Sequence, residues 1–128
     1  MGTQYLIDSN VVIGFLDSKL PEKGMVHVSK IIDAVPNISV ITKIEVLRYN
    51  TTSSNLKILE DFMDFSNICE LETKIVNETI NLCRQSKIKL PDAIIAATCM
   101  VNKYVLLSRN VKDFLHITNL KITNPWDL

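Results

Sequence analysis

The stretch Tyr5-Leu6-Ile7-Asp8-Ser9-Asn10-Val11-Val12 holds three apolar residues with no polar alternation, then a trio of turn formers, then apolar residues at helical spacing through Phe15 and Leu16. This order predicts a strand buried on both faces, a tight exit and a helix. The same unit recurs along the chain. Met25, Val28, Ile31, Ile32 and Val35 give an amphipathic helix closed by Pro36-Asn37, and the β-branched run Ile38 to Ile41 predicts a second strand. Thr42-Lys43-Ile44-Glu45 then reads as a capping box opening a helix. Leu56 to Phe65 predicts another helix, Ile68 to Leu71 a third strand, and Ile75 to Cys83 a further helix. Pro91 suits a first helical turn, and Ala93, Ile94, Ala96, Ala97 and Met100 continue a helix apolar all round, which should be buried. Tyr104 to Leu107 predicts a fourth strand, Val111 to Leu115 a short helical turn, and Leu120 to Thr123 a weak fifth strand. Short apolar strands alternating with helices imply an α/β fold: three α/β/α layers around a central parallel sheet of about five strands. In such folds function lies beyond the carboxyl ends of the strands.

Composition narrows the class further. A chain of 128 residues with 47% hydrophobic residues is expected to form one domain over 1–128 with a core that needs no disulfide or metal staple. Only three Gly and four Pro exclude collagen-like and linker-rich architectures. Fourteen basic against fourteen acidic side chains leave no global field to steer the protein onto a polyanion, so any nucleic acid must be handled locally. Cys69, Cys83 and Cys99 are an odd number, widely spaced in apolar stretches, and are expected to be reduced, buried thiols in a cytoplasmic protein. The N-terminus carries no basic signal region, and Leu6 stands where myristoylation wants Ser or Thr. The apolar stretch from Ala93 to Val101 is well short of the roughly 20 residues a membrane helix needs.

Four acids fall just after predicted strand ends or in first helical turns: Asp8, Glu45, Asp92 and Asp113. Each has a structural reading of its own. Asp8 suits an N-cap, Glu45 the partner of Thr42 in the capping box, and Asp92 a first-turn acid favoured by the helix dipole. Their coincidence at one sheet edge favours a site, because gathered carboxylates repel unless a divalent cation sits among them. Oxygen ligands without thiolate or imidazole suit Mg²⁺ or Mn²⁺ over Zn²⁺.

Tyr-Leu-Ile-Asp8-Ser-Asn10-Val-Val-Ile, Ser-Val-Ile-Thr42-Lys-Ile-Glu45-Val, Leu90-Pro-Asp92-Ala-Ile-Ile-Ala-Ala-Thr and Leu-Leu-Ser108-Arg-Asn110-Val-Lys-Asp113-Phe resemble, in order, the successive motifs of a PIN domain. The resemblance spans nearly the whole chain and is greatest to the VapC toxins of type II toxin–antitoxin pairs. It implies a Mg²⁺- or Mn²⁺-dependent endoribonuclease, a homodimer and a small VapB-like antitoxin. It also implies that Asp8, Glu45 and Asp92 are the family's most recurrent acids. The last carboxylate of the family stands at the position of Asn110 or of Asp113, and here only Asp113 carries charge. Asn10 and Ser108 match polar residues beside the acidic pocket, where they would hold carboxylates in place.

On that resemblance, Asp8 and Asp92 are expected as direct ligands, Glu45 as a ligand through water or a positioner of the nucleophile, and Asp113 as part of a second, weaker site. Lys43, Arg48, Lys87, Lys89, Arg109 and Lys112 flank the motifs and could form a basic collar, suited to a single-stranded loop of a structured RNA such as tRNA. Rival devices fit less well. His27 and His116 lie far apart in sequence, the Asp8 loop lacks the second Asp of a dehalogenase-like phosphatase where Asn10 stands, and three glycines cannot build a phosphate loop. The alternative from another class is a non-catalytic PIN-like module that binds RNA or protein, with Leu56 to Phe65 as a candidate dimer or antitoxin face.

Overall fold

β1 (Tyr5–Ile7) runs straight into α1 (Ser9–Leu16) in the computed structural model, which describes residues 2–128. The order continues with α2 (Glu22–Asp33), β2 (Asn37–Ser39), α3 (Val40–Leu47), α4 (Ser53–Phe65), β3 (Asn67–Cys69), α5 (Thr73–Gln85), α6 (Leu90–Asn102) and β4 (Val105–Leu107). A 3-10 turn (Val111–Phe114), β5 (Ile122–Thr123) and a final 3-10 turn (Pro125–Asp127) complete it. Among the described residues the strands form one sheet in the order β3-β2-β1-β4-β5, with every neighbouring pair parallel. The strand order reverses direction between β1 and β4, and open sheets of this kind bind ligands in the crevice outside that switch point.

Side-chain alternation along the central strands builds the three layers. Ile7 and Leu107 face a core with Val11, Val28, Val46, Phe62 and Met63, drawn from α1 to α4. Their neighbours Leu6 and Leu106 face the opposite way, onto Ile75 and Leu82 of α5 and Ile95, Ala96 and Cys99 of α6. All seven residues from Ala93 to Cys99 are buried, and the small alanines allow α6 to lie close to the sheet. Its C-terminus closes on Lys103 in the left-handed region (φ 59), with the Tyr104 N–H donating to the Cys99 carbonyl at 2.9 Å.

The structure corrects three expectations. The second strand ends at Ser39, not Ile41, and the helix begins at Val40. Its cap is Ser39, whose hydroxyl accepts from the Ile41 N–H at 3.2 Å, so Thr42 and Glu45 form no capping box. A hydroxyl at the strand's last residue can satisfy a free amide at once, which starts the helix three residues early. Thr42 is instead fully buried inside α3, and its Oγ1 has no hydrogen-bond partner among the described residues. The thiols are not uniformly buried either: Cys99 is, Cys69 is half-buried and Cys83 is exposed on α5, whose buried stripe runs through Ile75, Thr79 and Leu82. In the segment Leu56 to Phe65, Leu59, Phe62 and Met63 face the core, as an apolar stripe at helical spacing ordinarily does, while Ile58 and Phe65 are exposed.

Candidate functional site

Asp8 follows β1 at the switch point and is 7% exposed. It caps α1, its Oδ1 accepting from the Ser9 N–H at 2.9 Å. Its Oδ2 accepts from the Ser108 hydroxyl, the residue directly after β4, at 2.7 Å, and from the Asn10 amide at 3.3 Å. Ser108 is fully buried, and its Oγ in turn accepts from the Asn110 N–H at 3.0 Å. Asn10 Oδ1 accepts from the Arg109 N–H at 3.0 Å. The ends of the two central strands are therefore tied through one carboxylate, one hydroxyl and one amide, and Asp8 has little rotational freedom.

The other acids lie within electrostatic reach of it. Burial pushes the Asp8 carboxyl above its ordinary 3.8 and the charge of Asp113 adds to this, against the lowering by Ser108, Ser9 and Asn10. Burial likewise raises Glu45, helped by Asp8 and Asp92 and opposed by Arg48. Asp92 in the first turn of α6 is raised by burial, then by Asp113 and Asp8, with Lys89 opposing. Asp113, on the 3-10 turn after β4, is exposed. Among the described residues no three His, Cys, Asp or Glu side chains converge tightly enough to encage an ion by themselves. The acids are hard oxygen donors whose charges bear on one another. That donor set fits Mg²⁺ or Mn²⁺, which fill the rest of their coordination with water or phosphate oxygens.

These shifts set a pH dependence with a definite sign. Each raised carboxyl holds its proton in the folded protein at a pH where the unfolded chain has released it, so folded protein binds more protons. Stability from this source is complete below the unfolded values of 3.8 for Asp and 4.5 for Glu, and is lost as pH rises through the raised folded values. Without divalent ions, the melting temperature should fall from mild acid toward neutrality more steeply in the wild type than in Asp8→Asn. Parallel curves for the two proteins would contradict the upward shift of the Asp8 carboxyl, whose largest cause is burial.

Of the supporting residues, Asn10 and Ser108 both hold Asp8, while Asn110, which is exposed, contributes its backbone N–H and lines an adjoining groove. That groove, about 980 Å³, is walled by α1, the end of α3, Arg109, Asn110 and Trp126. Of the expected basic collar only Arg48 and Arg109 line it; Lys19, which sequence reasoning passed over, joins them. Trp126 and Tyr49 were missed as well. A lone tryptophan beside Pro125 in a polar tail was the available signal for the first, and an aromatic residue just after the apolar face of α3 for the second.

A family model for the PIN domain matches residues 5–120. The chain belongs to the PIN domain family. Among solved structures, it resembles a toxin–antitoxin complex from Klebsiella pneumoniae at 26% identity, TM-score 0.75, over 98% of this chain and 100% of that one. VapBC-1 from nontypeable Haemophilus influenzae matches at 22% identity and TM-score 0.79, over 98% and 100%. VapBC2 from Rickettsia felis, bound to a promoter DNA fragment, matches at 19% identity and TM-score 0.80, over 95% and 98%. No sequence among curated proteins matches the chain. The fold is thus one shared by chains of VapBC toxin–antitoxin complexes. Among the described residues no helix is long and apolar enough to cross a membrane.

Proposed function

We propose that this protein is a VapC-like toxin, an endoribonuclease that hydrolyses RNA phosphodiester bonds with Mg²⁺ or Mn²⁺, and that a small VapB-like antitoxin and a second copy of the chain are its protein partners. The observation that carries the reading is the tethering of Asp8, through Ser108 and Asn10, at a switch point where Glu45, Asp92 and Asp113 all bear on one electrostatic neighbourhood. The resemblance to the Klebsiella pneumoniae toxin–antitoxin complex supports the toxin assignment.

Asp8 and Asp92 would hold the ion. Glu45 would orient the attacking water, and Asp113, exposed on its 3-10 turn, would complete a weaker second position when RNA is present. A bound divalent ion supplies a water acidic enough to attack phosphorus and neutralises charge on the phosphate oxygens. Ser108 and Asn10 keep the Asp8 oxygens aimed through hydrogen bonds, and the buried Ser108 excludes solvent behind them. Arg48 and Lys89 oppose the upward shifts of the Glu45 and Asp92 carboxyls and so favour the ionised forms that an ion needs.

Mn²⁺ separates this reading from a non-catalytic module. At about 100 times its dissociation constant, an ion bound only by folded protein adds about 2.7 kcal/mol of stability, a rise of several degrees in melting temperature. Asp92→Asn should remove most of that rise together with metal-dependent RNA cleavage. Equal Mn²⁺ shifts in both proteins, or cleavage that persists in EDTA, would rule the metal site out.

A further inference from the structure

The groove beside the acids has walls of unusual chemistry. Trp126 is seated by two close approaches: a Cβ on Gly24 would collide with the Pro125 carbonyl oxygen, and one on Gly14 would lie 2.9 Å from the indole. The Trp126 backbone N–H donates to Asn124 Oδ1 at 3.0 Å, which fixes the turn that carries it. The Arg109 guanidinium lies over this indole, 4.7 Å from the ring centroid. The Arg109 backbone is held at the same time by Asn10, the residue that also bonds Asp8. Among the described residues the one ion pair joins Lys57 to Asp61, so no acid occupies the Arg109 donors. Tyr49, 56% exposed, also lines the groove, with Arg48 next to it in the chain and Lys19 on the wall.

An arginine resting over an indole keeps N–H donors for a phosphate and loses less side-chain freedom on binding one. An exposed tyrosine in the same groove offers a stacking surface that any base can use. Alternating cations and aromatic rings along a channel are the chemistry of single-stranded nucleic acid recognition. Of the four acids Glu45 lines the same groove, together with Asn10, whose amide bonds Asp8, so the groove adjoins the acids.

We infer that this groove is the subsite for the RNA strand leaving the scissile phosphate: Arg109, backed by Trp126, grips the adjacent phosphate, and Tyr49 stacks the adjoining base. The inference rests on the endoribonuclease reading, whose site it extends. Arg109 and Tyr49 set substrate affinity and take no part in bond breaking.

Trp126 is the sole tryptophan, so its fluorescence reports the groove directly. In EDTA and low salt, a single-stranded oligoribonucleotide of about eight nucleotides should change that emission saturably. Arg109→Ala should weaken binding about tenfold and lower the salt slope by about one, whereas Tyr49→Ala should weaken it about as much with the slope unchanged. With Mg²⁺ present both variants should raise KM for RNA and leave kcat within about twofold. Wild-type cleavage with KM unchanged in both variants would overturn the subsite and leave the nuclease standing. Absence of any cleavage would sink the nuclease, while the EDTA titration still decides the groove. An emission change with an acidic peptide and none with the oligonucleotide would make it a protein-docking surface and overturn the inference.

Discussion

Replacing Asp8 by Asn should lower metal-dependent RNA cleavage by about a thousandfold or more while the metal-free protein stays at least as stable as the wild type at neutral pH. A thousandfold loss corresponds to about 4 kcal/mol of transition-state stabilisation, the size expected when a charged ligand is removed from an ion that must neutralise phosphate. The stability half of the result follows from competing terms. An amide keeps the Oδ1 acceptor for the Ser9 N–H, and Asn caps helices as well as Asp. On the other side an amide NH₂ would face the Ser108 hydroxyl in place of an acceptor, and a lost charge-assisted hydrogen bond costs about 1.5–3 kcal/mol. Against that stand the burial of the charge and its repulsion from Asp113, and the raised carboxyl says that the surroundings on balance disfavour the ionised form. Removing the charge therefore removes a net penalty. A variant that cuts RNA at the wild-type rate, in a preparation free of other nucleases, would refute the assignment. One that unfolds would show that the hydrogen bond from Ser108 to the carboxylate outweighs the penalty of the buried charge.

How far this could be read from the amino-acid order depends on the range of the interactions. Strand and helix alternation was legible because Tyr5-Leu6-Ile7 and Tyr104 to Leu107 are short apolar runs between helical periodicities, a local signal. The positions of Asp8, directly after β1, and of Asp92, in the first turn of α6, were legible for the same reason, whereas Glu45 falls inside α3 rather than in its first turn. The start of α3 was misread because Ser39 and Thr42 are both plausible caps, and the choice depends on where β2 stops pairing with β3. Sheet order lies outside local pattern altogether. So does the groove, whose walls come from α1, the end of α3, the segment after β4 and Trp126. Nothing near Arg109 in the chain announces a tryptophan above which its guanidinium will lie.

That long-range assembly makes Gly24 a sharper test of the groove than its position on α2 suggests. Gly24→Ala should destabilise the protein by about 2 kcal/mol, or roughly 8 °C in melting temperature, and shift Trp126 emission toward that of a solvated indole. Helix propensity alone argues the other way, since Ala is better than Gly by about 1 kcal/mol in a helix interior. Sterics decide the sign. The new methyl would run into the Pro125 carbonyl oxygen and lie 3.1 Å from its carbon, and those are backbone atoms that move only with the whole turn. At Gly14 the nearest atoms, 2.9 Å away, are the end of the Leu20 side chain and the edge of the indole, which can tilt, so Gly14→Ala should cost less. A methyl at Gly2 meets nothing within 4 Å and serves as the control. Displacing the Pro125–Trp126 turn also takes away the surface on which Arg109 lies, so Gly24→Ala should weaken oligoribonucleotide binding in EDTA as Arg109→Ala does. If Gly24→Ala melted like the wild type with unchanged emission, the turn would be free to shift, and Trp126 could not be the fixed backing that the groove requires.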